Sequence, residues 1–303
     1  MLKESLLYLA RQERIRQFVI TNPAARSMAR RFAAGETLDD AMRATKPLNA
    51  RRIAVSLDHL GENVADAREA NATADEYVTT LKRISAAGAE ANISIKLTAL
   101  GLDIDAELCQ ANLERVLCEA HKRDIFVRVD MEGSDYTQRT LDLVLDAHKR
   151  YPNVGTVVQT MLYRTPSDVE TLIEEGVRMR LVKGAYMEPP TVAFPKKTDV
   201  DEQYLRLMYR LLERGVYPAL ATHDETLIAA AKRYTEEKQI SRARFEFQML
   251  YGIRRDLQER LANDGYNVRT YVPYGSQWYP YLTRRMAERP ANLMFIVSNT
   301  LRG

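Results

Sequence analysis

Two adjacent arginines near the end of the chain are the residues best suited to bind a small anion. Arg284 and Arg285 precede Glu288 by four and three residues, so on a helix one carboxylate can contact both guanidinium groups. A guanidinium group binds a carboxylate in a bidentate way that a lysine cannot reproduce. Tyr281 lies one helical turn earlier, where its ring could form one wall of a ligand-binding site. The motif predicts a site for a small carboxylate, and a solvated, charged helix face is the alternative.

Further polar residues stand at the ends of short apolar runs. They are Asp58, Glu62, Lys96, Asp130, Gln159, Arg180, Lys183, Thr222, His223, Gln248 and Tyr271. In a parallel barrel the C-terminal ends of the strands meet at one mouth, where chemistry gathers. Any single residue of this set could be a buried structural group that is hydrogen-bonded inside the protein. As a set, they predict a site for a large, polar and partly anionic molecule.

Lys183 is compatible with two chemistries. At a strand end it could form a Schiff base with a carbonyl substrate, or it could hold a fixed positive charge against an electron-rich cofactor or a phosphate. Gly184 and Ala185 follow it, and their small size lets a flat ring or a pyrophosphate approach the backbone. The local sequence leaves both chemistries open.

Alternating strand and helix patterns after residue 52 predict the elements that position these side chains. Eight apolar or β-branched runs are predicted strands: Ile53–Leu57, Ile93–Leu97, Ile125–Val129, Thr156–Gln159, Met179–Lys183, Ala219–Thr222, Arg244–Gln248 and Val268–Val272. The connections between them are long enough for parallel crossovers, and amphipathic helices are predicted within them over Ala74–Ala87, Asp105–Lys122, Tyr136–Lys149, Pro166–Glu175, Asp201–Arg214 and Glu225–Glu237. Eight such units over about 250 residues favour an α/β fold of the (βα)8 TIM-barrel type. A doubly wound sheet is the alternative, but the chain has no Gly-x-Gly turn.

The first 52 residues have a different pattern and predict a separate helical cap. Helices are expected over residues 2–20 and 24–34 and over 38–45, the last ending before Pro47. This region holds eleven Lys and Arg against five Asp and Glu. It could contact an anionic membrane surface or another protein, and a solvated helical layer is the commoner explanation. We therefore expect a cap at 1–52 and a barrel at 53–303, with the last helix over the barrel mouth.

Composition excludes several classes of protein. The 303 residues are 46% hydrophobic and 28% charged, as in ordinary soluble proteins, and no run of about 18 apolar residues or apolar leader is present. We therefore expect a cytoplasmic protein that could associate with the inner face of a membrane. Two cysteines and four scattered histidines argue against a disulfide framework and a metal centre. Basic residues without interleaved aromatic ones argue against nucleic-acid binding.

Eight motifs in one order make the chain resemble the monofunctional bacterial proline dehydrogenases. They are Asp58-His-Leu-Gly-Glu62, Ser94-Ile-Lys96-Leu, Arg128-Val-Asp130-Met131-Glu, Val158-Gln159, Arg180-Leu-Val-Lys183-Gly184-Ala185-Tyr186, Thr222-His223-Asp, Phe245-Glu-Phe-Gln248-Met-Leu250-Tyr-Gly and Tyr281-x-x-Arg284-Arg285-x-x-Glu288. No domain-sized region is expected outside the barrel, unlike in the bifunctional proline utilisation proteins.

The resemblance implies a distorted (βα)8 barrel with FAD at its mouth. It implies oxidation of L-proline to Δ1-pyrroline-5-carboxylate by hydride transfer from proline C5 to flavin N5, with a quinone as electron acceptor. This is the first step of proline degradation to glutamate, so a separate pyrroline-5-carboxylate dehydrogenase is an expected functional partner. A Schiff-base lyase or aldolase that uses Lys183 is the alternative function.

The resemblance also implies a role for each matching residue. Substrate-binding residues are Lys96, Arg284, Arg285, Tyr271, Tyr281 and Leu250. Asp130 would set the charge and placement of Lys96, and Arg180 would approach flavin N5; these two are the implied catalytic residues. Glu62 would pair with Arg284 as a gate, and Glu288 would support the arginines. Cofactor-binding residues are Met131, Gln159, Lys183, Gly184, Ala185, Thr222 and His223.

Overall fold

Eight short strands form the centre of the protein, which a computed structural model describes over residues 31–61, 64–279, 281 and 282. The strands are β1 (Ile53–His59), β2 (Ala91–Ile95), β3 (Val127–Val129), β4 (Val154–Gln159), β5 (Arg178–Val182), β6 (Ala219–Ala221), β7 (Glu246–Leu250) and β8 (Asn267–Tyr274). Each strand is parallel to its neighbours, and β8 pairs with β1 to close the sheet. The predicted (βα)8 barrel is confirmed.

Helices fill the connections between successive strands. After α1 (Leu38–Asn49), which precedes the barrel, the helices are α2 (Ala67–Ala86), α3 (Ala106–His121), α4 (Thr137–His148), α5 (Thr165–Glu174), α6 (Lys197–Arg214), α7 (Glu225–Glu237) and α8 (Arg255–Asn263). Aspartates at the starts of several helices accept backbone hydrogen bonds, as Asp66 does for α2 and Asp224 for α7, which satisfies donors that the helix itself cannot. None of the helices in these described ranges combines the length and the apolar run that crossing a bilayer requires.

The two faces of each strand have opposite character. Val55, Leu57, Ile93 and Ile95 are buried in the apolar core, as expected where alternate residues of a strand face the surrounding helices. The intervening residues face the barrel interior, where the hydroxyl oxygens of Ser56 and Ser94 lie 3.0 Å apart. Branched apolar residues usually fill the interior of such barrels, whereas here it holds buried charged groups that must be paired.

Gly155 allows β4 and β5 to meet closely at the lower end of the barrel. A Cβ atom on this residue would lie 2.2 Å from the carbonyl oxygen of Arg178 and 2.8 Å from the ring of Phe126. The same carbonyl accepts a hydrogen bond of 2.7 Å from the buried Arg128 guanidinium group. Any side chain at residue 155 therefore forces the two strands or the arginine to move.

Replacing Gly155 by alanine should lower the free energy of unfolding by about 1–3 kcal/mol through overpacking. Chemical denaturation of the purified variant measures this change. Gly61→Ala is the matched control, because a Cβ atom there meets no atom of the described residues within 4 Å, and its effect should stay within about 0.5 kcal/mol. Equal effects at the two glycines would contradict the close approach at Gly155.

The front of the chain departs from the prediction at two points. The helix predicted to end before Pro47 continues to Asn49, with Pro47 inside it. This proline removes only its own backbone donor, and Ala50 N–H still bonds to the Lys46 carbonyl at 3.0 Å. Residues 31–34 form a turn and a bend instead of helix, because Ala34 N–H bonds to the carbonyl of Pro273 beside β8 at 2.8 Å. The division at residue 52 stays a prediction, since residues 1–30 and 283–303 lie outside the described ranges.

Candidate active site

Buried charged side chains meet at the C-terminal ends of the strands. Asp58 lies near the end of β1, Lys96 and Asp130 directly follow β2 and β3, and Arg180 lies in β5. Closure of the sheet brings β8 beside β1, so Tyr271 joins the same group. Residues that are scattered over more than 200 positions of the sequence therefore line one mouth.

These charges form two buried ion pairs. Lys96 Nζ donates to Asp58 Oδ1 at 2.8 Å, and Arg180 Nη1 donates to Asp130 Oδ1 at 2.6 Å. The hydroxyl of Tyr271 donates to the second oxygen of Asp130 at 2.8 Å, and its ring centroid lies 5.2 Å from the Arg180 guanidinium carbon. Two positive and two negative charges thus compensate one another, which buried ions require because their desolvation is costly.

The environment changes the titration of two of these groups. Burial raises the pKa of Asp58, and the negative charge of Asp130 raises it further, while Lys96 opposes both. Burial also raises the pKa of Tyr271 well above its ordinary value, and the two aspartates add to this effect. Tyr271 therefore stays a neutral hydrogen-bond donor at neutral pH.

A chain of hydrogen bonds below the mouth fixes the orientation of Arg180. Its Nε donates to Gln248 Oε1 and its Nη2 donates to Ser94 Oγ at 3.0 Å. The amide nitrogen of Gln248 donates to Glu246, which also accepts from Arg269 Nε at 3.1 Å. An ionised carboxylate can only accept hydrogen bonds. Because Glu246 must accept from the amide nitrogen of Gln248, the amide oxygen of Gln248 faces Arg180.

Replacing Gln248 by leucine should lower the free energy of unfolding by about 1–3 kcal/mol, because buried donors and acceptors on Arg180 and Glu246 lose their partner. Gln138 offers a matched control, since its amide likewise links an arginine (Arg164) to a carboxylate (Asp142) but on the exposed surface. Gln138→Leu should change stability by less than about 0.5 kcal/mol. Urea denaturation of both variants measures the difference, and equal losses would contradict a special role for the buried amide.

A cavity of about 560 Å³ opens at this mouth. This volume lies within the usual range of small-molecule sites, about 300–1,000 Å³. Its lining includes the ion-paired residues described above. It also includes apolar residues, the loop after β5 and the residues after β6: Met131, Val157, Val182, Lys183, Gly184, Ala185, Tyr186, Ala221, Thr222, His223, Met249 and Leu250.

Two aspartates hold Lys183 at the rim of the cavity. Lys183 Nζ lies 2.6 Å from Asp201 Oδ1 and 3.0 Å from Asp224 Oδ2. Although partial burial acts to raise the pKa of each aspartate, Lys183 lowers both below the ordinary value. On the same rim, His223 Nε2 accepts a hydrogen bond of 3.0 Å from the backbone N–H of Leu250. The neutral imidazole therefore carries its proton on Nδ1.

The structure brings together the predicted site residues that it describes. Thirteen of them line this one cavity: Lys96, Asp130, Met131, Gln159, Arg180, Lys183, Gly184, Ala185, Thr222, His223, Leu250, Tyr271 and Tyr281. Glu62, Arg284, Arg285 and Glu288 lie outside the described residues. The roles of the individual residues stay predictions.

Several neighbours of these residues were not predicted to belong to the site. Asp201 and Asp224 hold Lys183, and Ser94 contacts Arg180. Asp224 follows His223 directly and caps the N-terminus of α7, so its position next to a strand end was a usable signal. Asp201 lies inside α6, and no local pattern distinguishes it from the other charged residues of that helix.

A closed parallel barrel with paired charges and a cavity at the C-terminal ends of its strands has the organisation of TIM-barrel enzymes. The proline dehydrogenase family model matches residues 41–298. The chain is 42% identical to proline dehydrogenase 2 of Bacillus subtilis over 90% of this chain and 92% of that protein. It is 39% identical to proline dehydrogenase 1 of the same organism over the whole of both chains.

A solved structure has the same fold. Proline utilization A (PutA) from Bdellovibrio bacteriovorus, inactivated by N-propargylglycine, superposes with a TM-score of 0.82 at 24% identity, covering 93% of this chain and 37% of that one. The present chain thus spans about a third of that protein, and at this identity the likeness shows the fold alone. The sequence matches show more: the chain belongs to the proline dehydrogenase family, and it is an oxidoreductase that oxidises proline in proline catabolism.

Proposed function

We propose that this protein uses FAD to oxidise L-proline to Δ1-pyrroline-5-carboxylate and passes the electrons to a quinone. The observation that carries this proposal is that one cavity is lined both by paired charges, which suit a zwitterion, and by apolar residues and a glycine, which suit a flat cofactor. Membership of the proline dehydrogenase family supports the substrate. The two ion pairs of Lys183 with Asp201 and Asp224 also favour this function over a Schiff-base lyase, since a lysine that forms a Schiff base must be free to react.

The residues of the cavity fit a flavin. Met131, Val157, Val182 and Met249 offer apolar surface to a flat ring, and Arg180 offers a positive charge inside the cavity. Gly184 has a φ of +110°, and a side chain on it would collide with Met161. The backbone at this part of the cavity therefore carries no side chain and can be approached closely by a flat ring. When bound there, FAD supplies the two-electron acceptor that no amino-acid side chain provides.

The charged residues at the cavity suit the binding of proline. Lys96 together with Arg284 and Arg285 would bind the substrate carboxylate, and these cations offset the desolvation of the anion. Tyr271, Tyr281 and Leu250 would enclose the pyrrolidine ring and exclude water. Glu62 would close over the substrate by pairing with Arg284, with Glu288 steadying the two arginines.

Electrostatics and positioning are the other contributions of the protein. Only the free amine of proline has a nitrogen lone pair that can assist loss of hydride from C5, so the site must bind or create the unprotonated form. Arg180 would stabilise the negative charge that develops beside it during oxidation. Asp130 holds Arg180 at 2.6 Å and would thereby keep the cation aligned before the reaction begins.

Seven further residues would hold the cofactor: Met131, Gln159, Lys183, Gly184, Ala185, Thr222 and His223.

Partners follow from the proposed chemistry. The product has to be oxidised further on the way to glutamate, so a separate pyrroline-5-carboxylate dehydrogenase is the proposed functional partner. A quinone acceptor is lipid-soluble, which favours contact of the basic residues within 1–52 with the inner face of an anionic membrane.

Anaerobic addition of L-proline to the purified yellow protein tests the proposed function. The flavin absorption band should bleach on adding proline, and a water-soluble quinone should restore it. A colourless preparation that forms a borohydride-trapped adduct at Lys183 with a carbonyl compound would favour the Schiff-base alternative and refute the proposal. L-Alanine serves as the control ligand, because it has the carboxylate and amine but no ring, and it should leave the band unchanged.

A further inference from the structure

Asp58 has one carboxylate oxygen whose hydrogen-bonding capacity is not used within the described part of the chain. Its Oδ1 accepts from Lys96 Nζ at 2.8 Å. Its Oδ2 is buried and has no hydrogen-bond partner among the described residues, and the side chain, only 1% exposed, lines the cavity. A buried, unpaired acceptor is costly, so this oxygen is suited to bind a proton or a donor group of a ligand.

The second aspartate at the mouth differs in this respect. Asp130 accepts from Arg180 through one oxygen and from the Tyr271 hydroxyl through the other. Tyr271 also faces Asp58, but its hydroxyl has a single proton, which it donates to Asp130. Of the two carboxylates, Asp58 is therefore the one that can take up a proton without displacing a donor.

Covalent geometry brings the substrate amine near this oxygen. In an α-imino acid the nitrogen and the carboxylate are attached to the same carbon, so they lie about 2.5–3 Å apart. Under the proposed function the carboxylate binds Lys96, whose Nζ contacts Asp58. The ammonium group of bound proline is thereby delivered to the neighbourhood of Asp58 Oδ2.

We propose that Asp58 is the catalytic base that removes the ammonium proton of bound proline. This inference rests on the proposed function and identifies the group that creates the reactive free amine. One N–H bond of the substrate breaks and its electron pair stays on nitrogen, while the proton forms an O–H bond with Asp58 Oδ2. No electrons are exchanged in this step, and the proton passes to water after the product leaves.

The groups that face Asp58 are consistent with this role. Lys96 attracts the ionised form, whereas burial and Asp130 favour the protonated one and raise its pKa. Tyr77, Tyr274 and His59 lie on the outer side and act on the same carboxyl group electrostatically, and Glu76 lies behind them. Transfer of a proton to Asp58 leaves Asp130 and Arg180 paired.

The pH dependence of flavin bleaching by proline, measured anaerobically by rapid mixing, tests the proposal. In the wild type, the second-order rate constant should be nearly constant over about pH 7–9, because the base is internal. In Asp58→Asn, which retains an oxygen acceptor for Lys96, it should rise about tenfold per pH unit below the pKa of the proline amine, since only the free amine from solution reacts. At pH 7 the variant should be about 10²- to 10⁴-fold slower.

Two controls separate this role from a structural one. Glu76→Gln removes a carboxylate that contacts the Tyr274 hydroxyl outside the mouth and should retain the wild-type pH profile. Asp58→Glu keeps a base and should restore a flat profile at a lower rate. A loss of packing alone would slow Asp58→Asn equally at every pH, and equal slopes in the wild type and Asp58→Asn would refute the proposal.

An infrared difference spectrum supplies a readout that does not depend on turnover. L-Proline is added to holoenzyme whose flavin has been reduced beforehand, so no oxidation can follow. The wild type should gain the C=O band of one protonated carboxyl group, and Asp58→Asn should not. Absence of this band in the wild type overturns the proposal even if the variant fails to fold. By contrast, failure of proline to bleach the oxidised wild type would refute the proposed function itself.

Discussion

Replacing Arg285 by methionine should raise the KM for L-proline by about 30-fold or more, while the flavin stays bound. The expected size follows from the cost of removing one partner of a buried charge pair, about 2–5 kcal/mol, since each 1.4 kcal/mol corresponds to a factor of ten in affinity. Arg284→Ala should have a similar effect, because both guanidinium groups are proposed to bind one carboxylate. Steady-state kinetics with proline measures the KM, and the flavin spectrum of the purified variant reports cofactor content.

One control variant and one comparison variant show how large the effect of Arg285→Met is. Arg83 also pairs with a carboxylate, Asp39, at 2.7 Å, but both side chains are more than half exposed. Arg83→Met should therefore leave the KM unchanged. Glu62→Ala removes only the proposed gate and should raise the KM less than either arginine variant does. Tight proline binding by Arg285→Met, or a larger effect of Glu62→Ala, would contradict the proposed carboxylate site.

Hydrophobic periodicity identified the barrel because each strand has its own short apolar run. All eight predicted strands overlap the observed ones, and the helix predicted over Glu225–Glu237 has the same limits in the structure. The polar residues that end those runs could be assigned to one mouth, since closure of a parallel sheet leaves no other arrangement. Thirteen predicted residues consequently line a single cavity.

Elements with weak local signals were missed. Helix α8 has only two leucines, Leu257 and Leu261, on its buried face, which is too little periodicity to distinguish it from a loop. The continuation of α1 through Pro47 depends on hydrogen bonds at its C-terminal turn that the sequence does not reveal. For α8, packing of its buried face stabilises a helix that the local sequence predicts only weakly.

The contacts within the mouth were also beyond sequence analysis. The resemblance implied that Asp130 acts on Lys96; the structure shows Asp130 bonded to Arg180 and Tyr271, and Asp58 paired with Lys96. Which carboxylate contacts which cation depends on the stagger between neighbouring strands, and a shift of one residue would exchange the faces. The amino-acid sequence alone does not fix that stagger.

Replacing Asp130 by asparagine should lower the free energy of unfolding by about 3–5 kcal/mol and reduce kcat/KM for proline. The substitution keeps the shape of the side chain but leaves the buried Arg180 guanidinium group without its counterion, and breaking a buried pair costs about this much. An amide also has only one acceptor oxygen, so Arg180 and Tyr271 could no longer each donate to a separate oxygen, as they do to Asp130. Urea denaturation of the purified protein and steady-state kinetics measure the two effects.

Asp103 is a close match for Asp130 on the surface of the protein. It accepts from the hydroxyl of Tyr136 at 2.8 Å and pairs with Arg139 at 3.3 Å, but its side chain is 41% exposed. Asp103→Asn should cost no more than about 1 kcal/mol, because water replaces the lost partner. Comparable losses in the two variants would mean that burial adds nothing to the Asp130–Arg180 pair. A loss confined to Asp130→Asn would show that the mouth depends on its own charge balance before any ligand binds.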